Sequence, residues 1–186
     1  MELLKKDFYY ELPERLIAQD PLENRSASRL LILDKNTGEY VHSHFEHVID
    51  YMNSGDCLVI NNTKVIPARL IGERIVEEKE YPKGFEPPKA GAAVEILLLK
   101  RLENNCWETI VRPGKKLRTG SRVSFGNGEL KAEIKEVKDD GNRIVQFEFN
   151  GIFEEILDKL GTMPLPPYIT HELKDKNRYQ TVYAKH

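Results

Sequence analysis

The chain reads as a mixed α+β protein in which an α/β segment is interrupted by a small all-β domain and then resumes. Three observations carry this reading. Strand-like stretches follow one another between residues 94 and 149 with turn-rich separators, a spacing that indicates a small antiparallel barrel or sandwich. On either side, apolar residues recur at helical spacing. Between the first part and the strands, residues 73–80 are charged and 82–92 are rich in proline and glycine, the composition of a long, mobile loop. The expected parts are 1–70 as the first piece of the α/β domain, 71–150 as an inserted β domain and 151–186 as the return.

The elements follow in order. Residues 30–33 and 40–41 flank Asp34-Lys35-Asn36-Thr37-Gly38, a turn signal that predicts a hairpin. Ser43 and Glu46 form a capping-box pattern ahead of Phe45, Val48, Ile49 and Met52, which predicts an amphipathic helix closed by Gly55. Residues 57–60 form a short apolar run that ends in polar residues, as a buried strand does at the edge of a site, with Cys57 as a buried structural thiol. Strands are expected over 94–99, 107–111, 122–125, 130–137 and 143–149. Asn150 is a candidate N-cap for a helix carrying Phe153, Ile156, Leu157 and Leu160 on one stripe, and Gly161 ends it. The stretch 161–169 contains three prolines and reads as a rigid extended connector.

Composition narrows the function classes. The 186 residues are 40% apolar and 31% charged, with a formal net charge of −2. That balance argues against a general polycation for nucleic acid. Two cysteines make no disulfide framework, and no apolar stretch reads as a signal peptide or membrane span, so a cytoplasmic protein is expected. Charge is uneven, however: residues 100–122 hold seven basic and two acidic side chains, which suggests one local surface for an anion.

Several phrases could carry chemistry. Residues 61–69 put Asn61, Thr63, Lys64 and Arg69 just after the apolar run, where α/β proteins place ligand contacts. Lys64 and Arg69 could hold a carboxylate or phosphate, or the phrase could be an ordinary turn with a solvated lysine. Arg112, Lys115, Lys116 and Arg118 surround Pro113-Gly114 and could track a phosphate backbone, or form a solvated hairpin tip. Arg25 and Arg29 would share a face on an extended segment. His42, His44 and His47 cluster, but no second group at ligand spacing supports a metal, and none is expected. Glycine-rich nucleotide motifs are absent. The closing residues 175–186 are dense in Arg, Tyr, Gln and Thr, which reads as the approach to a functional site.

Five phrases together resemble one family. They are Leu12-Pro13-Glu14-Arg15-Leu16-Ile17-Ala18-Gln19-Asp20-Pro21; Arg25-Ser26-Ala27-Ser28-Arg29-Leu30-Leu31; Gly55-Asp56-Cys57-Leu58-Val59-Ile60-Asn61 with residues 63–70; Met163-Pro164-Leu165-Pro166-Pro167-Tyr168-Ile169; and Arg178-Tyr179-Gln180-Thr181-Val182-Tyr183-Ala184. In this order they resemble the S-adenosylmethionine:tRNA ribosyltransferase-isomerases, which form epoxyqueuosine in queuosine biosynthesis. The chain departs from the family pattern at Ser26 and Asn62, where an acidic residue is usual, and in a longer loop over 73–92.

The resemblance implies an incomplete α/β barrel-like domain interrupted by a small antiparallel β-barrel. It implies transfer and isomerisation of the ribosyl group of S-adenosylmethionine onto the aminomethyl-7-deazaguanine base of tRNA, with loss of adenine and methionine. S-adenosylmethionine is then a substrate, tRNA the partner, and no metal or membrane takes part. Removing the proton beside the sulfonium needs a base, and the departing adenine needs an acid. Asn61, Thr63, Arg69, Arg178 and Gln180 are the expected cofactor contacts. Lys64 and Tyr179 are the catalytic candidates, Tyr179 also offering a stacking face. Arg112, Lys115, Lys116 and Arg118 are the expected tRNA contacts. Family members continue for a comparable length beyond this point, so the chain is expected to be an N-terminal portion without activity of its own. Whole family members are expected to be monomers, and the portion to have poorly packed ends or to pair with a second copy. The rival reading is a non-catalytic RNA-binding β-barrel.

Overall fold

A computed structural model describes residues 3–76 and 91–185. The loop expected over 73–92 falls mostly outside the described residues. The chain divides into two compact units, Met1–Thr63 with Pro166–His186, and Lys64–Leu165.

The first unit is built from short turns and one hairpin. Strands β1 (Arg29–Leu33) and β2 (Tyr40–His44) pair antiparallel, with Leu31 opposite His42. The turn closes as its sequence suggests: the Asp34 side chain accepts the backbone N–H groups of Asn36 and Thr37, and Gly38 takes a positive φ of 76°. Three expectations here are corrected. The helix anticipated at 45–52 is a 3-10 turn, Phe45–Tyr51, with His44 at its N-cap and no side-chain cap. Phe45, Ile49 and Met52 remain exposed, and an isolated turn without a covering face gains too little burial to propagate. Residues 57–60 form no strand, and Cys57 is exposed rather than buried. Val59 is 88% exposed, because nothing among the described residues lies over this run. Arg25 lies in the 3-10 turn Arg25–Ala27 and Arg29 opens β1, so they share no extended face.

The second unit is a closed six-stranded antiparallel barrel. Its strands are β3 (Arg69–Ile75), β4 (Ala93–Arg101), β5 (Cys106–Arg112), β6 (Arg122–Phe125), β7 (Leu130–Val137) and β8 (Arg143–Phe149). Their order around the sheet is β4-β5-β8-β7-β6-β3, and β3 closes the ring by pairing β4 as well. Closure gives each of these six strands a neighbour on both sides, the usual answer to unpaired backbone groups in a small β domain. Inward residues alternate along each strand: Leu70, Ile96, Trp107, Val123, Ile134 and Val145 are all buried. Asn104 and Asn105 both take positive φ, 56° and 57°, which a two-residue hairpin requires. The strand β3 was not foreseen, because Gly72, Glu73 and Arg74 interrupt the apolar alternation.

The helix α1 (Phe153–Leu160) lays Phe153, Ile156 and Leu157 onto the barrel core. Phe153 meets Trp107, Phe147 and Phe149 with ring centroids 5.8, 5.4 and 5.0 Å apart. Its N-cap is Ile152, not Asn150, since Gly151 takes φ 96° and turns the chain one residue later. Gly161 ends the helix in extended conformation and begins β9 (Gly161–Thr162), which pairs with β3. The barrel unit therefore runs from Lys64 to Leu165, wider at both ends than 71–150, because β3 and α1 belong to its core.

Candidate functional site

In the first unit, two polar phrases far apart in sequence are laced together through backbone carbonyls. The Arg25 guanidinium donates to the carbonyl of Gln180 at 2.6 Å and of Arg178 at 2.8 Å. Arg178 reciprocates by donating to the carbonyls of Leu22 and Glu23. The planar fork of arginine suits such multiple acceptance better than a lysine would. Each local turn is itself capped: the Asn24 side chain accepts from the Ser26 N–H, and the Asp175 side chain accepts from the Asn177 N–H at the start of the 3-10 turn Lys176–Tyr179. Gln19 adds a further tie, donating to the Tyr168 carbonyl and accepting from the Thr170 N–H.

The same unit brings the expected cofactor residues Asn61 and Thr63 beside the closing phrase. The Thr181 hydroxyl donates to the Asn61 carbonyl at 3.0 Å, and the Lys185 N–H donates to the Asn62 carbonyl at 3.0 Å. The Asn61 side chain accepts the Thr63 N–H at 2.8 Å and fixes the bend. Gln180 is buried, and Arg178 and Tyr179 are half-buried. A cavity of about 570 Å³ opens beside Asp20, His171, Asp175 and Arg178. There the His171 pKa is raised, first by its hydrogen bond to the Glu172 carbonyl and then by the Asp20 carboxylate, 3.3 Å from its Nε2. The bracing roles of Arg25 and Gln19 were missed at the sequence level. Nothing local marks a side chain whose partners lie some 150 residues away.

In the second unit, Lys64 is exposed in the segment that leads into β3. Arg69 lies on β3, with its Nε 3.4 Å from the Glu95 carboxylate and its Nη2 3.4 Å from the Leu165 carbonyl. The barrel also carries the basic turn. Lys115, Lys116 and Arg118 line a cavity of about 540 Å³ together with Arg74 and Arg122, neither of which was among the expected tRNA contacts. Arg112, at the end of β5, does not line it.

Of the three clustered histidines, His42 and His44 lie on β2, and His47 contacts Asp50 at 3.2 Å. Among the described residues, no group of three or more His, Cys, Asp or Glu could hold a metal ion. No helix among them is long and apolar enough to cross a membrane.

The model of a family described as queuosine biosynthesis protein matches residues 5–186. A protein of Lachnoclostridium phytofermentans named S-adenosylmethionine:tRNA ribosyltransferase-isomerase is 63% identical over 182 residues, which is 98% of this chain and 50% of that protein. A protein of Acetivibrio thermocellus with the same name is 53% identical, over 97% of this chain and 49% of its own length. The chain thus spans about half the length of the curated relatives it matches. A crystal structure of S-adenosylmethionine tRNA ribosyltransferase from Thermotoga maritima is 37% identical, covers 83% of this chain and 48% of that one, and superposes with a TM-score of 0.37.

Proposed function

This chain belongs to the queuosine biosynthesis protein family, and from that premise we propose that it is part of an enzyme that moves the ribosyl group of S-adenosylmethionine onto a 7-deazaguanine base in tRNA. The amine of the aminomethyl substituent is the acceptor. The ribosyl carbons rearrange to an epoxycyclopentanediol, and adenine and methionine leave. The observation that carries the reading is the family match across residues 5–186, supported by relatives of that name at 63% and 53% identity.

Residue roles follow from chemical need. Asn61, Thr63, Arg178 and Gln180 of the first unit are the proposed contacts to S-adenosylmethionine, and Tyr179 is a catalytic candidate. The laced carbonyls around Arg25 support this, since they hold the closing phrase in one conformation. Arg69 of the second unit is likewise proposed as a cofactor contact, and Lys64 as the other catalytic candidate. Arg112, Lys115, Lys116 and Arg118 are the proposed tRNA contacts, and no metal is assigned a role. A cytoplasmic location accords with a tRNA substrate. In domain terms, the barrel is proposed as an insertion into an α/β domain. The 186 residues by themselves, which span about half the length of those relatives, are proposed to be inactive.

Release of adenine from S-adenosylmethionine, in the presence of tRNA carrying the aminomethyl base, tests both statements. A chain of the relatives' full length that includes these residues is expected to release adenine, and the chain alone is not. Turnover by the chain alone would overturn its proposed inactivity. Silence from the full-length form would overturn the transferase reading in favour of an RNA-binding barrel.

A further inference from the structure

We propose that the barrel holds a preformed groove for the phosphodiester backbone of RNA, lined by cations from three elements and braced from behind by Arg143. The inference deepens the reading above and rests on it for RNA as the partner. Arg74 comes from β3, Lys115, Lys116 and Arg118 from the turn after β5, and Arg122 from β6, around a space of about 540 Å³. Among the described residues no acidic side chain lines it; the other polar side chains are the hydroxyls of Thr119 and Ser121. Among the described residues Arg122 reaches one carboxylate, Glu148, at 3.3 Å. Lys115, Lys116, Arg118 and Arg122, gathered with little countercharge among the described residues, repel one another, and a polyanion laid along the groove relieves that repulsion. Cations spread over three elements suit a run of phosphates better than one small anion, and they read charge and spacing rather than base identity.

The turn is rigid, which makes the groove a built feature rather than a mobile charged tip. Leu117 is fully buried and anchors its centre. The Arg143 guanidinium of β8 donates to the carbonyls of Gly114 at 3.0 Å, Leu117 at 3.4 Å and Gly141. Beyond it, the Arg118 N–H donates to the Ser121 hydroxyl at 3.1 Å, and the Gly120 N–H to the Ile134 carbonyl at 2.8 Å. The lysines and Arg118 therefore project from a backbone already fixed, so binding orders only their side chains. The Arg143 donors are engaged with backbone carbonyls, and it acts as a positioning residue rather than an RNA contact.

The test is binding of a fluorescein-labelled RNA stem-loop, followed by anisotropy between about 50 and 200 mM salt. The protein is the chain itself, and each variant is first shown to match the parent by circular dichroism. In the triple variant Lys115→Ala, Lys116→Ala, Arg118→Ala, the slope of log affinity against log salt is expected to become shallower by about 2. Arg122→Ala is expected to remove about 1. Arg143→Met is expected to weaken binding about three- to tenfold while changing the slope by less than one contact. An unchanged slope in the triple variant overturns the groove. So does failure of the parent to bind the stem-loop. Parental affinity in Arg143→Met, or a slope as shallow as that of the triple variant, overturns the bracing role. Adenine release is measured separately, so the groove can fail while the transferase reading stands, and the reverse.

Discussion

Gly72 shows how much a single position in the barrel decides. A Cβ there would sit 2.4 Å from the Phe125 ring and 2.5 Å from the Ser124 carbonyl, one of them backbone that cannot give way. Gly72→Ala is therefore expected to destabilise the barrel by about 1–3 kcal/mol, read as a lower urea midpoint at unchanged slope. The same glycine hid its strand, because a glycine followed by two charges breaks the pattern by which strands are read. A second residue-scale expectation concerns pH. His171 has a raised pKa, chiefly through the Glu172 carbonyl and then Asp20. A group whose folded pKa is raised contributes fully below its unfolded value, about 6.5, and loses that contribution as pH rises through the folded value. The tie between His171 and Asp20 is thus expected to hold in mildly acidic solution and to fade above it. Titration of the His171 ring protons by NMR should give a value above the ordinary one, and Asp20→Asn should lower it; no change in Asp20→Asn would remove Asp20 as a cause.

At the scale of elements, what sequence patterning revealed depended on whether a partner face exists. Five barrel strands and α1 were legible because their apolar periods, two and 3.6, match surfaces that are in fact buried together. The capping-box pattern at Ser43 and Glu46 and the apolar run at 57–60 look equally regular, yet Phe45, Ile49 and Val59 are exposed. Periodicity reports which face wants to be covered, not whether anything covers it. For α1 the partner is there, and Phe153 fills the space between Trp107, Phe147 and Phe149. Phe153→Ala is expected to cost about 3–5 kcal/mol, through lost burial and the cavity left behind. Ile152→Ala, one residue earlier and 56% exposed, is expected to stay within about 0.5 kcal/mol. Equal losses at the two positions in urea unfolding would mean that α1 does not pack by this face. The candidate site was legible only as phrases. The carbonyls that Arg25 and Arg178 exchange are long-range backbone contacts, and side-chain chemistry alone does not announce them.

Across the whole molecule, the two units are unequal in what stabilises them. Among the described residues, every buried apolar side chain falls between Pro67 and Leu157, inside the barrel unit. The first unit is held by hydrogen bonds, while Leu31, Leu33, Tyr40, Val41, Leu58 and Val59 stay more than half exposed. Hydrogen bonds between groups that water can also satisfy contribute about 1 kcal/mol each, whereas burying one large apolar side chain gives about 1.5–3 kcal/mol. Unfolding is therefore expected in two steps, the first unit opening before the barrel. Amide hydrogen exchange should show β7 and β8 protected to the level of global stability, and residues 58–60 exchanging almost as in a free chain. Uniform protection across both units would contradict this. Exposed apolar surface of that extent also favours association. Sedimentation velocity is expected to show species that grow with protein concentration, and Leu58→Asp with Val59→Asp to suppress them. Association that persists in that double variant would shift the sticky surface away from 57–60 and onto the hairpin of β1 and β2.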